Sequence, residues 1–467
     1  MTALGAPTFR IAEILFFERD VKLRLPFRFG IVTLTQATQA FVRVRITMPD
    51  GRDGWGAAAE ILAPKWFDKN PALSDQQNVD QLRAALRIAR ELYLAGPPLS
   101  AYDHFAARYR AQITHGAAQD LNPLVAGFGP ALIDRAVLDA LCRLHSVSIF
   151  TAMRVNLPGI GPKGLPQDLD GFDMTDFLSR IDERPTIAAR HTVGLVDAIT
   201  AADRGQPVND GLPETLEEVV AAYGHRWFKL KVCGDLAQDL DRLQAIARVL
   251  DRIGGMYLVT LDGNEQFASA DAVLMLWRRM VELPALRRLC ASISFLEQPI
   301  ARQHALERPL GPLASTMPVI IDESDADLDA FPRALALGYA GVSSKACKGV
   351  YKSMINAARC RHRGRGNFMT GEDLTTQAGL AVQQDLALVS VLGLDHVERN
   401  GHHYVDGMAG LPLAEQDAFL AAHPDLYQRS LGAVRLRITN GELAIGSLAC
   451  PGFASGAMPD WSRMRAV

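Results

Sequence analysis

Eight short apolar runs, with stretches of helical spacing between most of them, constrain the fold of this chain more than any other feature. They fall between about residue 188 and residue 410, and they read TVGLVDAI, WFKLKV, YLVTLDGN, ISFLEQP, PVIIDES, GVSSK, NFMTGED and HVERNG. Buried strands that alternate with helices form a parallel sheet, and eight such units close into a barrel. The sequence therefore predicts an α/β fold with a (β/α)8 barrel over residues 186–410.

The segments on either side of the barrel have the patterns of a second domain. Residues 41–48 alternate apolar and polar side chains as a half-buried strand does, and residues 75–160 carry apolar positions mostly at helical spacing. After residue 410 the alternation returns on both sides of a turn at Asn440 and Gly441. We expect residues 1–160 to form an α+β capping domain and residues 411–467 to pack back on it.

Composition argues against several classes of protein. The net charge of −3 offers no basic field for nucleic acid. The six cysteines lack CxxC spacing, which argues against a zinc cluster or a disulfide framework and suits a reducing cytoplasm. The sequence has neither the pattern of a signal peptide nor an apolar run of about eighteen residues. We therefore expect a cytoplasmic protein without nucleic-acid or membrane partners.

Ionisable side chains follow the apolar runs where the predicted strands end. Seven of them recur at intervals of 23 to 35 residues: Lys231, Asp262, Glu297, Asp322, Lys345, Glu372 and Glu398. The active site of such a barrel lies at the C-terminal ends of its strands. Because scattered surface charges would not usually keep that interval, we expect these seven groups to surround one cavity.

Three consecutive predicted strands end in Asp262, Glu297 and Asp322. Carboxylates that converge repel one another unless a cation lies between them. Oxygen ligands without an accompanying histidine or cysteine favour Mg²⁺ over Zn²⁺. A solvated loop acid or a helix cap would explain any one of these residues, but it explains the three together poorly. The sequence therefore predicts a magnesium site.

Lysines also lie at or near the ends of predicted strands. Lys229 and Lys231 are two residues apart on a predicted strand, so both point to one face of it. A second ammonium and a metal ion nearby would favour the neutral form of a lysine, which is the form that acts as a base. Lys345 ends the sixth predicted strand, across the barrel from the second. Lys348 is the alternative to Lys345, although it belongs to the turn that follows the strand.

These residues closely resemble the enolase superfamily, and within it the mandelate racemase/muconate lactonizing enzyme group. The matching motifs are KLK (229–231), LDGN (261–264), FLEQP (295–299), IDES (321–324) and the strand-end Lys345. PFRFG (26–30), GWGAAAE (54–60) and AVLDALCRLH (136–145) resemble the family's capping domain and the helix before its barrel. The resemblance thus extends over nearly the whole chain.

The resemblance implies a specific chemistry. Asp262, Glu297 and Asp322 would bind one Mg²⁺, which would hold the substrate carboxylate and stabilise an enediolate. Lys231 would remove the α-proton, Lys229 would tune it, and Lys345 would be the second acid/base, as in the muconate lactonizing subgroup. Glu398 stands where the family often has an acid. The sixth and seventh strands end in SSK and GED, which disfavours the mandelate racemase subgroup with its aspartate and histidine there.

The chain also departs from the family pattern. MTGEDLTT (369–376) replaces the usual seventh-strand segment, so Glu372 or Asp373 enters the site in a role that the sequence does not assign. The eighth segment carries His396, His402 and His403, each of which is either a substrate ligand or an ordinary loop histidine. The candidate substrate contacts are Asn264, Glu372 and His402. Arg24, Arg28, Lys65 and Trp66, in predicted capping loops, are further candidates for the distal end of a substrate.

Three functions remain open at this point. The first is a racemase, epimerase or cycloisomerase that acts on a carboxylic acid, and the two opposed lysines favour it. The second is an acid-sugar dehydratase, which needs an acid such as His402, His403 or Glu372 to protonate a leaving group. The third is a metal-binding barrel without turnover. The resemblance also implies a homo-oligomer, and the sequence does not name the small-molecule carboxylate that binds.

Overall fold

The computed structural model describes residues 6–29, 32–364 and 366–467. Its first part is an antiparallel sheet of β1 (Arg10–Phe29), β2 (Val32–Thr47) and β3 (Asp53–Leu62), in that order. Five helices follow: α1 (Asp75–Leu94), α2 (Ala101–Ala117), α3 (Pro123–Leu144), α4 (Ile149–Arg154) and α5 (Met174–Ser179). Ser74 and Gln77 form a capping box that begins α1.

Helix α3 is buried along nearly its whole length because it packs against β3 on one side and against α1 and α2 on the other. Contact with β3 depends on Gly56, where a Cβ atom would lie 2.2 Å from both the carbonyl oxygen of Ala136 and the amide nitrogen of Ala140. Asp139 of α3 is fully buried and accepts hydrogen bonds from the amides of Ala57 and Phe453, both at 2.8 Å. It thereby joins the sheet to the C-terminal segment.

Eight parallel strands form the barrel, and the last pairs with the first to close it. They are β4 (Thr186–Val193), β5 (Trp227–Lys231), β6 (Leu258–Asp262), β7 (Ile293–Glu297), β8 (Val319–Ile321), β9 (Gly341–Ser344), β10 (Phe368–Gly371) and β11 (His396–Glu398). The predicted fold class, a (β/α)8 barrel with a capping domain, is confirmed.

Helices surround the barrel between these strands. They are α6 (Leu216–Tyr223), α7 (Leu236–Leu250), α8 (Ala270–Glu282), α9 (Arg287–Ser292), α10 (Arg302–Ala305), α11 (Pro312–Thr316), α12 (Ala330–Ala336), α13 (Val350–Arg363), α14 (Leu380–Val391) and α15 (Gly401–Tyr404). Helix α14 is buried on every side, since it lies between the barrel and β3 of the capping domain. Within the described ranges, no helix combines the length and apolarity that crossing a bilayer requires.

The first barrel strand differs from its predicted position. The sequence indicated TVGLVDAI (192–199), whereas β4 is TIAARHTV and ends at Val193. Pattern reading missed it because Arg190 and Thr192 look like surface residues, although both side chains point into the barrel and are fully buried. Polar groups inside the barrel thus removed the apolar run that would have marked the strand.

The C-terminal segment contacts both parts of the molecule. It contains α16 (Leu413–Ala422) and the strands β12 (Tyr427–Ser430), β13 (Ala433–Leu436), β14 (Ile438–Thr439), β15 (Glu442–Ala444) and β16 (Arg465–Ala466). Strands β14 and β15 form a hairpin around the predicted turn, where Asn440 and Gly441 both have positive φ. Strand β15 pairs with β4 of the barrel, and β16 pairs with β1 of the capping sheet.

Candidate active site

A cavity lies at the C-terminal ends of the barrel strands. The barrel lines it with Lys229, Lys231, Asp262, Asn264, Asp322, Lys345, Asp373, Leu374, Thr375, Glu398 and Asn400. The capping domain lines it with Phe27, Leu34, Ala63 and Trp66. One wall is therefore densely charged, whereas the wall that the capping domain supplies is apolar.

Lys229 lies at the centre of the charged groups. Its Nζ atom is 2.8 Å from carboxylate oxygens of Asp262, Glu297 and Glu372 and 3.0 Å from Glu398. Burial alone would lower the pKa of this lysine, but the four carboxylates outweigh burial and raise its pKa well above the usual value. Lys229 therefore stays charged and acts as an internal counter-ion.

Lys231 and Lys345 approach the cavity from opposite sides. Lys231 ends β5, the second strand of the barrel, and Lys345 directly follows β9, the sixth, so half the barrel's circumference separates them. The Nζ atom of Lys231 is 2.6 Å from Asp262 Oδ2, and that of Lys345 is 2.8 Å from Asp322 Oδ2. Burial would lower the pKa of Lys345, yet the adjacent Asp322 raises it overall, so this lysine is protonated at neutral pH.

Lys348 occupies a different position from Lys345. Its Nζ atom contacts Asp322 Oδ1 and the backbone oxygen of Asp322, both at 2.8 Å, and donates to the hydroxyl of Ser343 at 2.9 Å. Lys345 lines the cavity and lies 5.2 Å from the centre of the Trp66 ring. Lys348 therefore orients Asp322, whereas Lys345 is the lysine that faces the cavity.

Asp262, Glu297 and Asp322 supply carboxylate oxygens at the ends of three consecutive strands, and a lysine pairs with each of them. Asp262 and Glu297 are direct partners on neighbouring strands, and all three side chains are buried. Both carboxylate oxygens of Glu297 lack a hydrogen-bond donor of suitable geometry, although Lys229 lies beside one of them. Burial, followed by the charges of Asp262 and Glu372, raises the pKa of Glu297 well above its usual range. An all-oxygen set with one unsatisfied carboxylate is the donor chemistry that Mg²⁺ takes.

Glu372 and Glu398 are held by different partners. Glu398 lines the cavity and accepts hydrogen bonds from Thr192 at 2.6 Å and Asn400 at 2.9 Å. Glu372 lies deeper in the barrel and pairs with Lys229 and with Arg190, which is fully buried. Pattern reading missed Arg190 because nothing local distinguishes it from a surface arginine.

Asn264 and Asp373 both lie at the cavity. The amide of Asn264 donates to Asp262 Oδ1 at 2.9 Å, which steadies that carboxylate, and its own Oδ1 atom is buried without a partner. Burial raises the pKa of Asp373, and Arg399, 3.2 Å away, opposes that effect. Asp373 also accepts from the amides of Thr375 and Asn400, so its position is fixed from three directions.

The remaining candidates lie away from the cavity. His402 and His403 pack against His191, outside the barrel wall. Arg24 pairs with Asp210 at 2.5 Å, and Lys65 bonds to backbone oxygens of its own loop. A role for His402 in substrate binding therefore gains no support from its position, whereas Trp66 lines the cavity as expected.

The chain is similar to known proteins in sequence and in fold. The family model described as "Enolase C-terminal domain-like" matches residues 211–425. An L-Lys-D/L-Arg epimerase from Methylococcus capsulatus is 32% identical over 130 residues, which span 28% of this chain and 29% of the relative. The match thus spans less than a third of that relative's length.

Solved structures share the whole architecture at low identity. A dipeptide epimerase from Enterococcus faecalis, complexed with Mg and the dipeptide L-Leu-L-Tyr, aligns with a TM-score of 0.60 at 14% identity over 95% of this chain and 99% of that one. A muconate lactonizing enzyme from Pseudomonas fluorescens, complexed with muconolactone, aligns with a TM-score of 0.60 at 18% identity over 97% and 98% of the two chains. Residues 211–425 thus match the enolase C-terminal domain-like family, and the chain as a whole shares the fold of these solved structures.

Proposed function

We propose that this protein is a racemase or epimerase that inverts the α-carbon of a carboxylate substrate. The observation that carries the proposal is the pair of cavity-lining lysines, Lys231 and Lys345, on opposite sides of the barrel with the carboxylates between them. Inversion requires a proton to leave one face of a carbon and another to arrive at the opposite face. Two lysines on opposite sides of a bound substrate meet that requirement.

Lys231 acts as the base in one direction. It takes the proton from the α-carbon, and the electron pair of the broken C–H bond moves towards the substrate carboxylate. Lys345, protonated at the outset because of Asp322, donates its proton to the other face, and a new C–H bond forms there with inverted configuration. In the reverse direction the two lysines exchange roles. Lys229 takes no part in proton transfer, because four carboxylates hold its charge.

Asp262, Glu297 and Asp322 would hold Mg²⁺, the cation that their chemistry fits. When bound, Mg²⁺ supplies positive charge beside the substrate carboxylate, where negative charge develops as the proton leaves. Lys348 and Ser343 hold Asp322 in place for this task, and the amide of Asn264 holds Asp262. Trp66 and the other capping residues exclude water above the reacting carbon.

Two observations favour inversion over dehydration of an acid sugar. Dehydration needs an acid beside the leaving group, and the candidates His402 and His403 lie outside the cavity. Glu372 is engaged by Arg190 and Lys229 within the barrel. The capping wall of Phe27, Leu34, Ala63 and Trp66 is also poorly suited to a polyhydroxylated chain. It suits a substrate whose distal group is apolar, and apolar dipeptides or N-acyl amino acids meet that description.

The test is proton exchange followed by NMR. The purified protein with Mg²⁺ in D₂O is incubated separately with each enantiomer or epimer of apolar dipeptides and N-acyl amino acids. We expect the α-proton signal to disappear while the inverted product accumulates. Lys231→Ala and Lys345→Ala should each abolish inversion, and each should retain exchange with only one of the two stereoisomers, because one base remains on one face.

Lys163→Ala is the matched control, since Lys163 is an exposed lysine in the loop between α4 and α5 and does not line the cavity. It should behave as the unaltered protein does. Full inversion by Lys345→Ala would refute the two-lysine proposal. Formation of a 2-keto-3-deoxy acid from an acid sugar would establish the dehydratase instead, and lactone formation would establish a cycloisomerase. Mg²⁺ binding with no chemistry on any of these acids would support a barrel without turnover.

A further inference from the structure

A cluster of histidines lies on the outer side of the barrel wall, away from the carboxylates. His191 belongs to β4, His225 precedes β5, and His402 belongs to α15. The ring centres of His191 and His225 are 5.3 Å apart, and His402 is 5.5 Å from His191 and 5.4 Å from His225. Three segments that are distant in the chain thus place three imidazole rings next to one another.

Four ring nitrogens of this cluster are buried without partners. His191 and His225 are 2% and 1% exposed. His225 Nδ1 lies 2.9 Å from the carbonyl oxygen of Ala189, so it donates there and leaves Nε2 with a free lone pair. His225 Nε2, His191 Nδ1 and both ring nitrogens of His402 are buried without a hydrogen bond of acceptable geometry. Buried polar atoms in this state are uncommon, because each has lost its hydrogen bonds to water without gaining a hydrogen bond within the protein.

Burial is the main effect that keeps the three rings neutral. Burial lowers the pKa of all three histidines, and it brings His225 to about 4. The neighbouring histidines lower the pKa values of His191 and His402 further. The charge of Arg399 also lowers the pKa of His402, whereas the Arg399 backbone raises it. Each neutral ring has one nitrogen with a free lone pair. Neutral imidazole is also the form that binds metals.

We propose that His191, His225 and His402 form a second metal site, which takes a borderline divalent transition-metal ion such as Zn²⁺. One nitrogen from each ring lies within 4.8 Å of the other two. Nitrogens that bind tetrahedral zinc at about 2.0–2.1 Å are roughly 3.3 Å apart, so the rings close by no more than about 1.5 Å when the ion binds. Imidazole-only coordination excludes Mg²⁺ and separates this site chemically from the carboxylates in the barrel.

A hydrogen bond to one of the rings and the space beside another fit the same assignment. The contact between His225 Nδ1 and the Ala189 carbonyl is the outer hydrogen bond that orients a ligating imidazole. His402 also lines a cavity bordered by Tyr223, Arg399 and Arg435, so a water molecule or a small anion has room to complete four-fold coordination. The ion would join β4, the start of β5 and α15, and it would thereby fix the segment that follows Glu398 in the active site.

The test is metal binding by the intact protein without a histidine tag. After removal of bound metal, the protein is saturated with Mg²⁺ to fill the carboxylate site and titrated with Zn²⁺ by calorimetry. We expect one Zn²⁺ per chain, and we expect His402→Gln to weaken binding by about 100-fold or more. His423→Gln is the matched control, because the Nε2 atom of His423 is buried without a partner, as the ring nitrogens of His402 are, but it lies elsewhere, beside Ser447. It should bind Zn²⁺ as the unaltered protein does.

A spectroscopic measurement keeps the test independent of the variants' folding. Co²⁺ added to the unaltered, Mg²⁺-saturated protein should give the visible absorption of a tetrahedral ion, and X-ray absorption of the Zn²⁺ form should show three nitrogen ligands of imidazole type. Three results would each overturn the proposal. They are binding of less than a tenth of an equivalent of Zn²⁺, unchanged Zn²⁺ binding by a folded His402→Gln variant, and Zn²⁺ ligands that are all oxygen atoms. Because Mg²⁺ occupies the barrel site throughout, the result does not depend on the reaction catalysed there.

Discussion

Replacing Lys229 with methionine removes the ammonium that contacts four buried carboxylates while keeping most of the side chain's volume. At a separation of 2.8 Å and an effective dielectric constant of about 20, a single ion pair attracts by about 6 kcal/mol before the cost of desolvation is subtracted. Desolvation cancels much of that attraction, and the loss of one partner from a buried pair costs about 3–5 kcal/mol. We therefore expect Lys229→Met to lower the free energy of unfolding by about 3–5 kcal/mol when Mg²⁺ is absent.

Magnesium should reverse most of this loss. The ammonium of Lys229 lies beside Asp262 and Glu297, two of the three proposed metal ligands, and its charge opposes a cation there. The variant should therefore bind Mg²⁺ more tightly, and an ion at 100 times its dissociation constant stabilises a protein by about 2.7 kcal/mol. The stabilisation by a fixed Mg²⁺ concentration should thus be larger in Lys229→Met than in the unaltered protein.

The assay is urea unfolding followed by tryptophan fluorescence, with and without Mg²⁺, with Lys163→Met as the control for loss of an exposed lysine. A variant within about 1 kcal/mol of the unaltered protein in the absence of Mg²⁺ would refute the role of Lys229 as an internal counter-ion. An equal effect of Mg²⁺ on the two proteins would refute the placement of the metal beside it.

Three further predictions rest on single contacts. Glu297→Gln should fold but show no rise in melting temperature with Mg²⁺, because the carboxylate of Glu297 is the unsatisfied member of the proposed ligand set. A rise equal to that of the unaltered protein in thermal melts would contradict this. Burial raises the pKa of Glu60 from 4.5 to about 7. The protonated Glu60 therefore contributes its full stabilisation below about pH 4.5, and this contribution is lost as the pH rises through about 7. The free energy of unfolding should fall by roughly 3 kcal/mol over that range. Urea unfolding at several pH values should show a flatter profile for Glu60→Gln, and parallel profiles would contradict the shift. Gly56→Ala should lower the free energy of unfolding by about 1–3 kcal/mol, because the added Cβ would meet the backbone of α3. Gly127→Ala, with open space around the added Cβ, should not lower it. Equal effects of the two substitutions in the same assay would contradict this.

The strand-end residues could be predicted because their signal is local. A charged side chain directly after a short apolar run appears in the sequence whether or not its partners are known, and Asp262, Glu297 and Lys345 were identified in this way. The spacing of Lys229 and Lys231 likewise predicted that both point to one face, and both now lie inside the barrel. Closure of eight such units then follows from their number and order alone.

Other features could not be predicted because they depend on contacts between distant segments. Arg190 is buried because it pairs with Glu372, which is 182 residues away in the chain. Nothing near Arg190 in the sequence indicates that partner. His402 had the local signature of a substrate ligand, yet its environment is set by His191 on β4 and by His225 just before β5. The apolar wall of the cavity also depends on how the capping sheet lies over the barrel.

Asp139 has a consequence for how the chain is made. It joins the amide of Ala57 in the capping sheet to the amide of Phe453, which lies 314 residues further along the chain than the aspartate itself. At synthesis rates of about 5–20 residues per second, a ribosome takes roughly 20–60 s to reach Phe453 after Asp139 has been made. During that interval the helix that carries Asp139 has a carboxylate without its final partner. We therefore expect the barrel to be assembled on the nascent chain before the capping domain is complete, and slow translation of the last third of the message to prolong the exposure of this helix to chaperones.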